Sequence, residues 1–263
     1  MTTETARAIA EAYRWQRRLG NPVIAAPHCH IVANPAFPEV WEANHADEVT
    51  AETPVEIDAV FAAMDAHLAH TNWRILHTDG FTPDAFLARL ALDDFEEKFV
   101  AILMALRGDV AARGGPIDLR PVVGEADWEA LLQLWLVDHA EGRRTGGMIL
   151  PPEFTREMVA SHRAKSAYFH FHLAYTDGTP VAFGAHAIAA NGVGIIEDLF
   201  TLPSARRKGF ATAIIAAFAD RLRAQGCETV FISALVDETA KHLYERLGFR
   251  PVGLARTWVK ERA

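Results

Sequence analysis

The residues of this 263-residue chain with the clearest chemical potential lie between Leu199 and Thr212. Three consecutive cations, Arg206-Arg207-Lys208, lead through Gly209 into an apolar stretch with helical spacing. The first amides of a helix have no partner within the helix, and the helix dipole is positive at that end, so this turn is suited to an anion. Glycine lets the anion approach the backbone closely, and Ala211 keeps the approach open. The pattern is typical of pyrophosphate binding, although a strand-to-helix turn with a solvated basic patch would contain the same residues.

This segment resembles the acetyl-CoA signature of the GNAT superfamily of N-acetyltransferases. The signature is an Arg or Gln, two residues, a Gly, one residue and a Gly or Ala; here it is Arg206-Arg207-Lys208-Gly209-Phe210-Ala211, with Pro203 three residues earlier. A second family segment matches at Ala240, Leu243-Tyr244 and Gly248-Phe249. The resemblance covers roughly residues 118–260. It implies a GNAT fold, acetyl-CoA as co-substrate, and direct transfer of an acetyl group to an amine of a small molecule or peptide.

The resemblance also implies which residues hold the cofactor. Backbone groups of Leu199, Phe200 and Thr201 would hold the pantetheine arm where two neighbouring strands separate. The pyrophosphate would lie against the cradle, a name used below for the amides of Arg207, Lys208, Gly209, Phe210, Ala211 and Thr212. Asp237 stands where many family members have Asn and is a further cofactor-binding candidate, with capping of the following helix as the alternative.

Two residues are expected to move protons. Tyr244 occupies the position of the family's frequent general acid, and its phenol is protonated at neutral pH, so it can donate to a departing thiolate. The alternative for Tyr244 is a packing role on the last helix. An alkylamine must lose a proton before it attacks, and Glu197 and Asp198 are the obvious acceptors, in a segment similar to the polyamine acetyltransferase branch. Because successive strand residues face opposite sides, we expect only one of the two to face the cleft, and we prefer Glu197 over a purely structural role.

Histidines are the other candidates for chemistry. His28-Cys29-His30 contains ligands that zinc prefers, but on a strand the two histidines face one side and the cysteine the other. We therefore predict no metal site. His170, His172 and His186 could line the acceptor side of the site, although ordinary strand histidines are the favoured interpretation.

The elements that must position these residues follow from periodicity and turns. In the second part of the chain we predict strands at 119–123, 167–175, 180–190, 193–202 and 229–234, and one or two closing strands at 249–260. We predict helices from about 126, at 151–165, from 210 and at 239–247. The Asp-Gly and Asn-Gly turns at 177–178 and 191–192 make three of these strands antiparallel. The strand at 229–234 follows a strand–helix unit, so we expect it to pair parallel with the strand at 193–202.

The first part of the chain reads as a smaller α/β unit. We predict helices at 4–19, 53–70 and from 82, and strands at 23–33, 73–77 and 99–106. Thr53, Pro54 and Glu56 form a strong helix start. The run from Trp73 to Leu106 is similar to the ending of a GNAT domain, and tandem members of the family exist in which one half has lost the cofactor motif. Residues 1–115 would then be a degenerate GNAT-like half that shapes the acceptor site.

Charge and glycine content divide the chain near residues 108–117. Residues 1–116 hold 9 Lys and Arg against 17 Asp and Glu, whereas residues 117–263 hold 17 of each. We predict an α/β (α+β) protein with a smaller α/β domain at 1–115 and a GNAT domain at 117–263, which has a mixed central sheet and flanking helices. The acidic excess would favour a cationic acceptor such as a polyamine, an aminoglycoside or a basic peptide.

Composition excludes several classes of protein. The net charge of −8 disfavours general nucleic-acid binding, and no apolar stretch approaches the ~20 residues that span a bilayer. The two cysteines are far apart, which excludes a disulfide framework and indicates a reducing compartment. We expect a cytoplasmic protein without nucleic-acid or membrane partners, and the oligomeric state stays open, with a homodimer allowed. The alternative to an enzyme is a non-catalytic acyl-CoA-binding regulatory module, which would keep the cradle but would not need Tyr244 and Glu197.

Overall fold

The computed structural model describes residues 2–142, 147 and 149–262, and within them the chain forms seven α-helices and eleven strands. In the first part these are α1 Thr3–Arg18, β1 Val23–Ala26, β2 Cys29–Ala33, β3 Asn44–Asp47, α2 Pro54–His67, β4 Trp73–Asp79, α3 Asp84–Leu92 and β5 Glu96–Leu106. In the second part they are β6 Asp118–Pro121, α4 Glu125–Glu141, α5 Pro152–Ala164, β7 Phe169–Thr176, β8 Thr179–Ile188, β9 Gly194–Thr201, α6 Phe210–Ala224, β10 Val230–Leu235, α7 Ala240–Arg246 and β11 Phe249–Glu261. Short 3-10 turns lie at Trp41–Ala43 and Pro203–Ala205.

The described strands form one sheet in the order β1-β2-β3-β4-β11-β5-β10-β9-β8-β7-β6. Two neighbouring pairs, β3–β4 and β9–β10, are parallel, and each is connected through one helix, α2 or α6. The other neighbours are antiparallel. The predicted mixed sheet with flanking helices is therefore confirmed, as is the parallel pairing across α6.

The order of elements in the first half of the chain is repeated in the second. The run β3-α2-β4-α3-β5 corresponds to β9-α6-β10-α7-β11. The last strand of each run lies among the strands of the other: β5 lies between β11 and β10, and β11 lies between β4 and β5. Each half of the sheet thus contains a strand from the other half. The division into domains at 1–115 and 117–263 stays a prediction; the connection at 107–117 contains neither helix nor strand.

One predicted strand differs from the structure, one strand of the structure was not predicted, and one open prediction is decided. The region 23–33 is a hairpin, β1–β2, because the chain turns at Pro27-His28, where His28 has a φ of 61°. Strand β3 was not expected, since its four residues are mostly polar, yet all four are buried. The closing region is the single strand β11, with register shifts along its pairing with β5.

Helices cover both faces of the sheet. Helices α1, α4 and α5 pack on one face, in a core that includes Ile9, Leu131 and Val159 with strand residues such as Phe231. Helices α6 and α7 pack on the other face beside α2 and α3. Helix α1, from the first part of the chain, therefore lies over strands of the second part. Within the described residues, no helix combines the length and apolar content needed to cross a bilayer.

Candidate active site

A cavity of about 580 Å³ lies between the sheet and helices α1, α4 and α5. From the first part of the chain, its wall includes Tyr13, Arg17, Trp41, Trp73, His77 and Phe99. From the second part, it includes Trp135, Glu197, Asp198, Leu199, Ser233 and Tyr244. The two residues predicted to move protons, Glu197 and Tyr244, therefore face the same cavity.

The cavity opens where two parallel strands separate. Strands β9 and β10 pair only from Gly194 to Ile196 on β9. At Asp198 the backbone has a φ of 55°, and the register between β8 and β9 shifts between Glu197 and Phe200. This irregularity is a β-bulge, which bends a strand and raises its twist, so β9 follows β8 and leaves β10. Polar backbone groups of β9 and β10 beyond this point face a cleft.

Because of the bulge, the prediction that only one of Glu197 and Asp198 faces the cleft is wrong. Both Glu197 and Asp198 line the cavity, although strict alternation would place only one of them there. Alternation fails because the left-handed backbone at Asp198 interrupts the pleat of the strand. The site therefore contains two adjacent carboxyl groups.

Glu197 has the electrostatics of a base that works near neutral pH. Burial, and after it the charge of Asp198, raise the pKa of Glu197 to about 7. The increase persists although Ser233 Oγ donates a hydrogen bond of 2.7 Å to Oε1 and Gln16 Nε2 donates one of 3.4 Å to the same oxygen. A catalytic base is most effective when its pKa is close to the working pH. Both bonds use Oε1, which leaves Oε2 for a substrate proton.

Tyr244 is the buried residue of the short helix α7. Its side chain is 6 % exposed, its ring centroid lies 6.3 Å from that of Phe249, and it forms part of the cavity wall. The predicted donor role and the packing role are therefore compatible, because the side chain packs in the core and also faces the cavity.

The six amides of the cradle are available for a ligand. In the part of the chain that the structure describes, none of them donates to a backbone or side-chain acceptor; the first such bond of α6 runs from Ala213 N to Gly209 O, at 3.0 Å. Gly209 has a φ of 91°, which favours glycine, and a Cβ placed on it would have no atom within 4 Å. The space in front of this helix terminus is open, as an approaching anion requires.

Arg206, the first residue of the signature, fixes the loop between β9 and α6. Its Nε donates to the carbonyl oxygen of Thr201 at 2.9 Å, and its guanidinium pairs with Glu141. Phe200 is buried with its ring centroid 5.6 Å from that of Phe183, whereas Leu199 lines the cavity. The cofactor roles of Leu199, Phe200 and Thr201 stay predictions.

Asp237 lies beside this cavity, between the wall residues Leu235 and Glu238. It is exposed in the turn after β10 and is not among the residues that line the cavity wall. It does not cap α7 either, since the N-cap residue is Thr239. Its role as a cofactor contact stays a prediction without a described contact.

The candidate histidines are also outside the cavity. Glu197 pairs opposite Ala185 and His186 opposite Ile196, so His186 lies on the other face of the sheet. There Arg221 Nη1 lies 2.6 Å from His172 Nε2 and 3.2 Å from His186 Nε2. None of the three histidines lines the cavity, which agrees with the favoured interpretation of ordinary strand histidines. Among the residues with described positions, no three His, Cys, Asp or Glu side chains form a group that could hold a metal.

Several residues that line the cavity or contact Glu197 were missed by sequence analysis. Ser233 is a polar residue in the otherwise apolar strand β10, and that contrast was a usable signal. Gln16, Tyr13 and Arg17 gave no such signal, because only the packing of α1 over the second half brings them to Glu197.

Comparison with known proteins agrees with this geometry. Residues 128–249 match the family model of the GNAT acetyltransferases. A comparison with curated proteins found no match. Among solved structures, a GCN5-related N-acetyltransferase from Kribbella flavida aligns with a TM-score of 0.71 at 19% identity, over 97% of this chain and 95% of that chain. A conserved protein of unknown function from Staphylococcus epidermidis aligns with a TM-score of 0.65 at 16% identity, over 92% and 95% of the two chains.

A tandem GNAT protein from the clavulanic acid biosynthesis pathway has a TM-score of 0.59 at 14% identity, over 82% of this chain and 75% of its own. At these identities the structural similarities show the fold alone, and this is the GNAT fold. One of the proteins with a similar structure is a tandem GNAT protein. Residues 128–249 therefore match the GNAT acetyltransferase family, and the resemblance stated from the sequence is confirmed over that range.

Proposed function

We propose that the chain is an acetyl-CoA-dependent N-acetyltransferase that transfers the acetyl group directly to an amine of a small molecule or peptide. The observation that carries this proposal is that Glu197, with a pKa of about 7, and Tyr244 share one cavity. That cavity opens where β9 and β10 separate, and the cradle begins the helix that follows β9.

The residues of the cradle fit a diphosphate. Six amides without partners in the described residues and the positive end of α6 attract anionic oxygens, and the exposed Arg207 and Lys208 add charge. Backbone groups of Leu199, Phe200 and Thr201 would hold the pantetheine arm along the cleft. Acetyl-CoA bound in this way would supply the thioester that is the acetyl donor.

In this proposal Glu197 removes a proton from the acceptor's ammonium group. A carboxyl with a pKa of about 7 is half ionised at neutral pH, so it can accept the proton and release it again. Ser233 and Gln16 fix its orientation through Oε1. Tyr244 donates the proton that the departing sulfur needs, because a phenol keeps its proton at neutral pH.

We further propose that residues 1–115 are a degenerate half that carries no second cofactor. Helix α2 corresponds in the element order to α6, but its first turn is closed by the chain itself. Glu56 Oε2 accepts from the amides of Glu52 and Thr53 at 2.9 Å each, Thr53 Oγ1 accepts from the Glu56 amide at 3.4 Å, and Pro54 has no amide hydrogen. A carboxylate at this terminus would repel a phosphate, so we expect one cofactor per chain.

The buried, free cysteines Cys29 and Cys227 support a reducing, cytoplasmic setting.

The test is thiol release from acetyl-CoA across a panel of primary amines, with the wild type, Glu197→Gln and Tyr244→Phe. Losing a general base or acid lowers the rate by about 10²- to 10⁴-fold, so both variants should lose turnover and retain CoA binding. Glu245→Gln and Tyr175→Phe are matched controls outside the cavity and should retain turnover. If the wild type binds CoA and releases no thiol with any amine, the chain is better described as an acyl-CoA-binding regulatory module.

A further inference from the structure

Among the described residues, one cation in the cavity wall lacks an acidic partner. The described part of the wall contains four Lys and Arg side chains, and three of them pair with carboxylates: Arg14 with Asp79, Lys98 with Glu96 at 3.0 Å, and Arg256 with Glu97 at 2.9 Å. Arg17 has no carboxylate within ion-pair distance among the described residues. A partly buried charge without a counter-ion costs free energy, which a charged ligand could offset.

The partners that Arg17 does have are neutral. Its Nη2 donates to the Tyr13 hydroxyl at 2.6 Å, and its Nη1 lies 3.1 Å from His77 Nε2. Burial raises the pKa of Tyr13, and burial followed by the charge of Arg17 holds the pKa of His77 well below its usual range, so neither carries charge at neutral pH. A guanidinium has five N–H donors, and these two contacts leave others free. These partners hold the guanidinium in place, and the charges of Glu42 and Glu197 act on it from beyond ion-pair distance.

Arg17 is also next to the proposed base. Gln16, the preceding residue on α1, donates to Glu197, and the charge of Arg17 is among the effects that lower the pKa of Glu197. The two groups therefore face the same part of the cavity, where a ligand can reach both.

Acidic residues elsewhere in the cavity are less able to attract a cation than the sequence implied. Asp79 and Glu96 are paired with Arg14 and Lys98, and Glu42 accepts from Lys165 at 3.3 Å. Of the four carboxylates that the described part of residues 1–116 adds to the cavity wall, three are thus paired, and Glu39 is the one with no ion pair among the described residues.

We propose that Arg17 binds a carboxylate of the acceptor, so that the preferred acceptor is an amino-carboxylate whose amine reaches Glu197. This inference rests on the proposed transferase function and adds the chemical class of its acceptor. The planar guanidinium fork matches a carboxylate in two-point hydrogen bonding, which gives both affinity and orientation. Binding the carboxylate at Arg17 would direct the amine of the same molecule toward Oε2 of Glu197.

The test uses matched ligand pairs. Each pair is an α- or ω-amino acid and its carboxamide, which differ in charge and share the amine; the panel contains the standard L-amino acids, β-alanine and γ-aminobutyrate. Binding is followed by the fluorescence of the cavity tryptophans, and transfer by thiol release from acetyl-CoA. For the wild type, at least one carboxylate is expected to be favoured over its carboxamide by about tenfold or more in both readouts.

Two variants of Arg17 and a control separate charge from folding. Arg17→Gln should remove the preference, so that the ratio of kcat/KM for the carboxylate to that for its carboxamide falls to about one, whatever the variant does to both ligands through Glu197. Arg17→Lys keeps the charge without the fork and should retain part of the preference. Arg120→Gln removes an exposed arginine from the distant strand β6 and should change nothing. Thermal melting of each variant verifies its folding.

The outcomes distinguish this inference from the proposed function. If no pair shows a preference for the carboxylate, or if Arg17→Gln lowers kcat/KM equally for both members, Arg17 is a positioning residue for Glu197 and the inference is wrong. If the carboxylates bind in an Arg17-dependent way but no thiol is released, the anion site stands and the transferase function fails.

Discussion

Removing the hydroxyl of Ser233 should raise the pKa of Glu197 above its value of about 7. Ser233 Oγ donates to Glu197 Oε1 at 2.7 Å, and this bond favours the ionised carboxylate. A hydrogen bond to a charged group contributes about 1.5–3 kcal/mol, and about 1.36 kcal/mol corresponds to one pH unit in a titration. Water that enters the cavity would replace part of this bond, so we expect the titration of Glu197 in Ser233→Ala to move upward by about one pH unit.

The assay is the initial rate of acetyl-CoA-dependent thiol release between about pH 5.5 and 9.5, with one amine acceptor. The wild-type rate should decrease as the pH falls below about 7, because the protonated carboxyl cannot accept a proton. The acceptor's own ionisation affects every variant alike, so the ratio of two profiles isolates Glu197. Ser233→Ala should be about tenfold slower than the wild type at pH 6 and approach it at high pH. Ser233→Thr keeps a hydroxyl and should follow the wild type.

Two results would refute this reasoning. Superimposable profiles for Ser233→Ala and the wild type would mean that the hydrogen bond does not control the ionisation that limits the rate. A rate reduced by the same factor at every pH would mean that Ser233 acts on the geometry of the site and not on the pKa of Glu197.

Three further predictions concern stability and the loop. The pKa of Glu197 is about 7 in the folded chain, against 4.5 for an unburied glutamate. Its ionisation therefore lowers the free energy of unfolding by up to about 3 kcal/mol above pH 7. Glu197→Gln should increase the stability of the chain in urea at pH 8 and not at pH 4. A fragment of residues 117–263 lacks β5, which lies between β10 and β11 in the sheet. The fragment should therefore fail to melt cooperatively unless residues 1–116 are co-expressed with it. A cooperative transition of the fragment alone would favour independent domains. Arg206→Ala removes the bond to the Thr201 carbonyl and should weaken CoA binding by about tenfold in calorimetry, whereas the exposed Arg120→Ala should leave it unchanged.

Features of the fold that depend on local chemistry were predictable from the sequence. The Asn-Gly turn at 191–192 and the Asp-Gly turn at 177–178 correctly gave the β7–β8–β9 antiparallel strands. The four-residue spacing from Phe210 to Leu222 correctly gave α6 and, with it, the parallel pairing of β9 and β10. In each case the deciding interactions lie within a few residues in sequence.

Features that depend on distant contacts were not predictable. Nothing in the sequence of β5 or β11 indicates that each lies among the strands of the other half, because a mixture of apolar and charged residues does not identify the neighbours of a strand. The same holds for α1, whose Gln16 contacts Glu197, a residue 181 positions away. The acceptor side of the site is built from such contacts, so its residues could not be named in advance.

The bulge at Asp198 was predictable only in part, because it depends on both local sequence and distant contacts. The sequence drew attention to Glu197 and Asp198, but the rule of alternation placed only one of them in the cleft. A left-handed φ at a non-glycine residue has no sequence signal here, and it occurs where β9 separates from β10. Local rules identified the residues, and tertiary geometry determined their arrangement.

Calorimetric titration of coenzyme A into the wild type, Gly209→Ala and Gly115→Ala tests the central claim most directly. A Cβ at Gly209 would be strained at a φ of 91° and would enter the space proposed for the pyrophosphate, whereas Gly115 has no φ in that region and no atom within 4 Å of an added Cβ. The account predicts one coenzyme A per chain, about tenfold or greater weakening in Gly209→Ala, and no change in Gly115→Ala. Equal affinity of the wild type and a folded Gly209→Ala, or binding of two molecules per chain, would contradict it.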